Sequence, residues 1–435
     1  MAMEAVRLNA GLPVYEAAHA THVYEPLLTA LFAEVFQVFG LNLLAARIVM
    51  SIFALALIIF FSDIFCSGKS RACSAIALLL FLGINFRTNL IFFSTQPDWI
   101  AALLAIVALY VWTTRKSSLL LSFVSVALFL CAMLCKQTSA AFALVPLVYV
   151  LLWKRPLQLR DLALSLLPTM SILLAVAAIR SLWPQMFTAM VTIPASIKVY
   201  PGRAWNVTLY LFATFPIFLI ALWSIWQSRN SLTEGERWIL SALIVFLPVS
   251  IWTTCKSGSG YNSLLFAYLA MTALFVARLE AIFHWLRSLS IQRRPVAAIA
   301  MALAILASFF LQFDQAVALL SVRHGDEKYD IAVALARNLK SVISPQGPTI
   351  AYRANGYFGR SLFFELDTHA VEGNWPEQLP MSILQELGKA DYVITVHSYV
   401  PTPVFDRSLV QNGFHQVSFS ELHDSAYTVW SKPSD

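Results

Sequence analysis

The sequence predicts a mainly helical, polytopic membrane protein of about ten spans, with a small α/β domain at its C-terminal end. Of its 435 residues, 59% are hydrophobic and only 12% are charged, whereas soluble domains carry about 25% charged residues. Apolar runs of about 20 residues, the length that crosses a bilayer, recur through the first three quarters of the chain. After Asp314 charged residues and turn signals return.

The net charge of +6 does not indicate a nucleic-acid partner, because the cations lie mainly in short loops between apolar runs, where they set membrane topology. All five cysteines lie in the apolar part of the chain. Cys131 and Cys135 share one face of a predicted helix, which does not suit a disulfide. No Cys and His spacing typical of a metal site is present, so the sequence indicates no metal and leaves any cofactor unknown.

The N-terminal residues 1–41 are predicted to be an outer segment rather than a signal peptide. They carry four glutamates and one arginine, without a basic stretch followed by an apolar core. The membrane domain is predicted over 42–314 and the C-terminal domain over 315–435. The ten predicted spans are 42–64, 73–90, 98–113, 118–135, 138–153, 162–180, 205–227, 238–254, 262–283 and 295–313.

The charge of the loops alternates from one span to the next. Cations concentrate in every second loop, which predicts that these loops are cytoplasmic. They are Lys69 and Arg71; Arg115 and Lys116; Lys154, Arg155 and Arg160; Arg229 and Arg237; and Arg287, Arg293 and Arg294. The N-terminal segment, the other loops and everything after Asp314 are then predicted to face the periplasm or exterior. The location predicted is the inner membrane of a bacterium.

The polar C-terminal part alternates between helical and extended patterns, which favours a small α/β domain. "DEKYDIAVALARNLKSV" is typical of an amphipathic helix, and two further helical stretches are predicted at 377–387 and 404–412. Short strands are predicted at "PTIAYRA", "ADYVITVHS", "FHQVSFS" and "AYTVWSK".

Ionisable residues are almost absent from the middle of the predicted spans, and no sequence repeat is evident. Both observations disfavour a transporter, which is expected to hold charges in mid-membrane and often has two related halves. The polar residues of interest collect on the outer surface instead, as expected for an enzyme acting on a lipid head group. They are Glu25, Arg87, Asp98, Lys136, Lys198, Arg203 and Lys256.

Four stretches resemble the GT-C glycosyltransferases of the protein-mannosyltransferase and aminoarabinose-transferase superfamily (glycosyltransferase family 39 type). "VYEPLLTALFAEVFQVFGLNLLAARIVMSIFALALIIFF" resembles that family's first outer loop, with its amphipathic helix, and second span. "QPDWIAALLAIVALYVW", "CKQTSAAFALVPLVYVLLW" and "KSGSGYNSLLFAYLAMTAL" resemble its later acidic, Lys-Gln-Thr and Lys-Gly-Asn-Leu motifs. In the first stretch the matching residues are Tyr24, Pro26, Leu27, Phe39, Gly40 and Arg47.

The resemblance implies transfer of a sugar from a polyprenyl-phosphate-linked donor to a glycan, lipid or protein acceptor on the outer face of the membrane. That chemistry needs a carboxylate to take or orient the acceptor's proton and cations to stabilise the departing phosphate. Two alternatives stay open: a non-catalytic lipid-binding protein that keeps the fold, and a transporter or polymerase of lipid-linked glycans.

The two candidate carboxylates are Asp98 and Glu25. Asp98 opens a span on the predicted outer side, where it is either a site acid or simply an acid favoured by the helix dipole. Glu25 precedes Pro26, where aminoarabinose transferases carry an acid; otherwise it is an exposed loop acid.

The candidate phosphate-binding residues are Lys136, Lys256, Tyr261, Asn262, Arg87 and Arg203. Lys136 lies between two closely spaced spans, where a snorkelling lysine is equally expected. Lys256 lies in "CKSGSGYN", whose glycines let the backbone approach a phosphate, with Tyr261 and Asn262 as neighbours. Arg87, Arg203 and also Lys198 are weaker candidates, because a solvated loop is an adequate explanation for each. His19 and His22, with Glu25 three residues further on, are weaker candidates that could line the same cavity or bind a metal, although lone loop histidines usually do neither.

Members of the family begin with another span, followed by an outer-loop acid held to be the base. Met1 comes too late in the pattern to include that acid, and Glu4 is too close to Gly11 to be its counterpart. The resemblance therefore predicts either a start further upstream or a truncated copy.

Overall fold

The computed structural model describes most of the chain in two compact units. The described residues are 2–15, 25–66, 71–87, 96–115, 118–227, 231–256, 260–310, 323–359, 362, 366, 376–396, 402–423 and 426–432. The terminal unit comprises Met1–Leu43, Ile179–Lys198 and Val317–Asp435, and the helical unit comprises Leu44–Ala178 and Val199–Ala316.

Helices dominate the described residues, and a few short strands follow near the C-terminal end. The helices are α1 Ala2–Asn9, α2 Pro26–Phe39, α3 Leu43–Cys66, α4 Arg71–Arg87, α5 Asp98–Thr114, α6 Leu119–Met133, α7 Val145–Trp153, α8 Leu159–Leu182, α9 Pro184–Phe187, α10 Ile193–Ser196, α11 Arg203–Thr214, α12 Pro216–Gln227, α13 Glu234–Thr254, α14 Leu265–Ser288, α15 Arg293–Phe310, α16 Arg323–Arg337, α17 Thr349–Asn355, α18 Met381–Leu387 and α19 Thr402–Gln411. The strands are β1 Val342–Ile343, β2 Tyr392–Val396, β3 His415–Val417 and β4 Tyr427–Ser431. A 3₁₀ helix at Gln137–Leu144 precedes α7, and another at Tyr261–Leu264 precedes α14.

The sheet of the terminal unit has the strand order β1-β2-β4-β3. Strands β1 and β2 are parallel, whereas β4 is antiparallel to both of its neighbours. The strands predicted within "ADYVITVHS", "FHQVSFS" and "AYTVWSK" are confirmed as β2, β3 and β4. One hydrophobic cluster, which includes Ile383, Val393 and Phe405, packs beneath this sheet.

The strand predicted at "PTIAYRA" is wrong, because this stretch forms helix α17. Pro348 has helical φ and ψ at the N-cap of α17, where its fixed φ suits a helix start. Gly356 ends the helix in the left-handed conformation, with φ 75°, as glycine often does. Ile350 and Ala351 are both buried, whereas adjacent residues of a strand point to opposite faces.

Helix α14 is the central element of the helical unit. In its most apolar stretch 83% of the residues are buried, compared with 22% in α8. A helix that is hydrophobic on all sides is expected to pack in a core. Neighbouring helices α4, α12 and α13 surround it, so the side chains of α14 fix the positions of the elements around it.

Four described helices are long and apolar enough to cross a membrane: Leu43–Phe61, Leu159–Leu182, Glu234–Thr254 and Asn262–Ser288. A fifth span is obtained if α11 and α12, bent by 82° at Phe215, are one span. Pro216 explains the bend, because proline disfavours a helical conformation in the residue before it. The predicted number of ten spans is therefore not confirmed. Helices α5 and α6, which match two predicted spans, have only 17 and 15 residues.

A buried ion pair joins three helices of the helical unit. The guanidinium of Arg278 on α14 donates to Glu236 Oε1 at 2.7 Å and to Ser224 Oγ and O, both at 3.1 Å. The second carboxylate oxygen of Glu236 accepts from Thr233 N at 2.8 Å, which completes a capping box at the start of α13. Arg278 lies within the predicted span 262–283, and the sequence analysis did not identify it. Its buried positive charge is neutralised by Glu236.

Breaking this pair on one side is expected to destabilise the helical unit. Glu236→Gln keeps the cap of α13 but leaves the charge of Arg278 buried and unpaired. We expect a loss of about 3–5 kcal/mol, measured by unfolding of the purified protein in detergent. The double variant Glu236→Gln/Arg278→Met removes both charges and should recover part of that loss. A double variant no more stable than Glu236→Gln alone would contradict the pairing as the cause.

Candidate functional site

The structure brings Asp98 and Lys136 together in a buried ion pair. Helix α6 runs back along α5, because the Oγ of Ser125 donates to Ala108 O at 2.7 Å and Lys136 Nζ donates to Asp98 Oδ1 at the other end. The Asp98 side chain is 1% exposed and that of Lys136 is 12% exposed. Residues 38 positions apart thus form one charged centre at the first residue of α5.

Local structure holds each member of this pair in place. Asp98 lies in the first turn of α5 just after Pro97, where the helix dipole favours a carboxylate. Lys136 precedes the 3₁₀ helix Gln137–Leu144, and its carbonyl accepts from Ser139 Oγ at 2.8 Å. The second carboxylate oxygen of Asp98 is buried and has no hydrogen-bond partner among the described residues. That oxygen retains the capacity to accept one more donor.

A second pair of candidates, Lys256 and Arg203, is positioned by contacts between two loops. Val199 and Lys256 form an isolated antiparallel bridge, and Tyr200 N donates to Cys255 O at 2.9 Å. Arg203 begins α11, and its guanidinium carbon lies 4.7 Å from the centroid of the Tyr200 ring. Two cations that lie 53 positions apart in the chain therefore belong to one loop junction of the helical unit.

Burial shifts the titration of groups at this junction. Desolvation lowers the pKa of Lys256, because a partly buried ammonium loses hydration. Burial also raises the pKa of the Cys255 thiol, and the positive charge of Arg203 opposes that shift. Lys256 therefore loses its proton more readily than a solvated lysine does.

The other phosphate-binding candidates are described only in part. Asn262 lies in the 3₁₀ helix Tyr261–Leu264 that leads into α14; for Tyr261 the structure describes the backbone alone. Arg87 is the last residue of α4, and its side chain is outside the described residues. His19 and His22 fall in the segment 16–24, which is also outside them. No group of three or more potential metal ligands occurs among the residues that the structure does describe.

Glu25 lies in the terminal unit, immediately before α2, and is fully buried. It is therefore not an exposed loop acid. Burial, together with the charges of Glu25 and Glu4, raises the pKa of Tyr15 far above its usual range. Glu4 is itself only 5% exposed. Glu4 was not among the site residues predicted from the sequence. Five consecutive residues of α1, Met3 to Arg7, are buried, and their composition does not predict this burial.

No protein-family model matches the sequence, and no curated protein matches it. Among solved structures, the chain is similar to the Archaeoglobus fulgidus oligosaccharyltransferase, crystallised with an acceptor peptide containing the NVT sequon tethered via a disulfide bond. The TM-score is 0.53 and the sequence identity is 13%; the match covers 94% of this chain and 66% of the other. This chain therefore spans about two thirds of the length of the structure it matches.

At this identity the similarity shows the fold. That fold is the GT-C type, and the apolar helices indicate an integral membrane protein. The finer assignment to glycosyltransferase family 39 is not confirmed.

The lowered pKa of Lys256 predicts how its amine reacts. We expect the pH midpoint of its acetylation, followed by mass spectrometry, to lie below that of the same lysine in the unfolded chain. The pH midpoint of acetylation reports the pKa of the Lys256 amine, whereas the rate also depends on how accessible the amine is to the reagent. Because the neutral amine is favoured in the folded protein, stability arising from this group falls as the pH falls. A midpoint equal to or above that of the unfolded chain would contradict the burial of this amine.

Proposed function

We propose that this protein is a membrane glycosyltransferase that transfers a sugar from a polyprenyl-phosphate-linked donor to an acceptor on the outer face of the membrane. The acceptor is a glycan, a lipid or a protein. The observation that carries the proposal is the buried Asp98–Lys136 pair at the first residue of an apolar helix, in a fold of the GT-C type. The proposal places this face in the periplasm and the chain in a bacterial inner membrane.

The reaction breaks the bond between the sugar's anomeric carbon and the phosphate oxygen, so negative charge develops on the departing phosphate. A preorganised cation stabilises that charge most effectively where water is excluded. Lys136 is held in such a place by Asp98, and Lys256 and Arg203 supply two further cations at their junction. We assign these three residues to the phosphate, and with less direct support Arg87, Tyr261 and Asn262.

The acceptor must lose a proton as it attacks the sugar. Asp98 is 1% exposed and already paired with Lys136. In this state it positions Lys136 and does not contact an acceptor. Its second oxygen is the group that would take or orient a proton once substrate enters. Glu25 is the other carboxylate proposed for this role.

Burial of Asp98 also favours a second function, in which the protein keeps the fold and binds a polyprenyl phosphate without transferring a sugar. In that case Lys136 still binds the phosphate, but no lipid-linked sugar is consumed. A transporter of lipid-linked glycans has no comparable support. The apolar crevice of the helical unit is lined chiefly by α5, α13 and α14, and none of its described lining residues is charged.

Neutralising either member of the ion pair is expected to abolish most of the transfer. In proteoliposomes supplied with a panel of polyprenyl-phosphate monosaccharides and acceptors, mass spectrometry would follow the appearance of free polyprenyl phosphate. Asp98→Asn and Lys136→Met should each lower the rate on the order of 100-fold. Because the two residues act as one unit, the double variant should be little worse than either single variant.

Matched controls are available on the same helical unit. Asp161→Asn changes an acid in the first turn of α8, and Lys154→Met changes a lysine at the end of α7; both should retain transfer. If the Asp98 and Lys136 variants retain wild-type rates at normal expression, the pair is not part of the active site. If the wild type binds polyprenyl phosphate but consumes no member of the panel, the lipid-binding function replaces the transferase.

A further inference from the structure

The helical unit contains an apolar crevice with a volume of about 160 Å³. Its walls include Ile106 and Thr113 from α5, Trp238 and Phe246 from α13, and Ala273 from α14. None of the described residues that line it is charged. Apolar cavities do not hold ordered water, because water needs polar partners there. In a membrane protein the natural filling for such a crevice is a hydrocarbon chain.

The crevice extends away from the Asp98–Lys136 pair. Ile106 and Thr113 lie 8 and 15 residues after Asp98 on the same helix, which corresponds to about 12 and 22 Å along its axis. Gly235 and Trp238, close to the start of α13, also line the crevice. Lys256, by contrast, follows the far end of α13. The crevice therefore reaches the end of the helical unit opposite to the proposed phosphate site.

Cations and aromatic rings lie beside this end of the crevice. Arg115 follows Thr113 by two residues, and its guanidinium carbon lies 3.2 Å from the centroid of the Trp112 ring. Arg237 adjoins Trp238 and lies 5.9 Å from the ring of Trp153. Tryptophan and arginine at the end of a membrane helix are typical of the lipid head-group level.

Nη1 of Arg115 and Nε of Arg237 are buried and have no hydrogen-bond partner among the described residues, so each arginine keeps a donor for an anion. Burial lowers the pKa of Arg115 to about 10, so it stays protonated at neutral pH. Among the described acids nearby, the charge of Asp161 favours the protonated form of Arg115. Glu234 accepts a hydrogen bond from the Tyr149 hydroxyl at 3.3 Å, and Glu236 forms an ion pair with Arg278. The exposed cations Lys154 and Arg155 lie in the loop between α7 and α8, and Arg160 lies in the first turn of α8. All three add positive charge at the predicted cytoplasmic surface.

We propose that this crevice binds one anionic phospholipid, with an acyl chain between α5, α13 and α14 and its phosphate against Arg115 and Arg237. The lipid belongs to the leaflet at the end of the helical unit where Arg115 and Arg237 lie. This inference does not rest on the proposed function, because it requires only that the helical unit is embedded in a bilayer.

The experiment uses the full-length protein, purified in mild detergent, depleted of lipid and titrated with phosphatidylglycerol or phosphatidylcholine, with bound lipid counted by native mass spectrometry. We expect one tightly bound phosphatidylglycerol and about tenfold weaker binding of phosphatidylcholine. Ala273→Trp fills the crevice and should abolish this binding. Arg115→Gln/Arg237→Gln leaves the crevice open and should remove the preference for the anionic lipid.

Leu303→Trp is the matched control, because Leu303 is 60% exposed on α15 and is not in the crevice lining. It should bind phosphatidylglycerol as the wild type does. If Ala273→Trp fails to fold, the arginine variant still decides the question. Equal binding of both lipids, or unchanged binding in the arginine variant, would overturn the proposal. So would displacement of phosphatidylglycerol by a lower concentration of polyprenyl phosphate. Asp98→Asn should leave lipid binding intact, which separates this result from any failure of the transferase.

Discussion

The helical unit depends on one electrostatic constraint: an ionised group buried among apolar side chains must be paired. The cost of removing a charge from water is several kcal/mol even after the protein relaxes, so each buried ion requires a specific neighbour. Asp98 forms an ion pair with Lys136, and Glu236 forms an ion pair with Arg278. The first pair joins the start of α5 to the end of the α5–α6 hairpin. The second ties α12, α13 and α14 together, and so the central helix α14 is fixed in register.

The residue types at the site were predictable from the sequence, but their partners were not. Asp98 and Lys136 are predicted separately as candidates, because each is a charged residue at the edge of an apolar run. Their contact depends on how tightly α6 returns along α5, which no local pattern encodes. Arg278 was overlooked for the complementary reason. Its partner Glu236 lies 42 positions earlier in the chain and makes the charge tolerable inside an apolar helix.

Local backbone chemistry explains the remaining differences between expectation and structure. Hydrophobicity alone predicts one continuous span over 205–227, but Pro216 divides this segment into α11 and α12. At "PTIAYRA" the apolar residues suit a strand, but Pro348 and Gly356 supply the start and the end of a helix. The burial of Glu4 and Glu25 had no local signal, because it is created by packing within the terminal unit. The domain limits, the sidedness of the loops and the roles of the site residues remain predictions.

The loop junction that carries Lys256 is joined through main-chain atoms, with Val199 bridged to Lys256 and Tyr200 N bonded to Cys255 O. Every amino acid except proline offers the same main-chain donor and acceptor. Substitutions in these two loops can therefore accumulate without moving Lys256, whereas the insertion or deletion of one residue shifts the pairing and turns the side chain to the opposite face. The geometry around this cation is consequently encoded in loop length more than in loop composition.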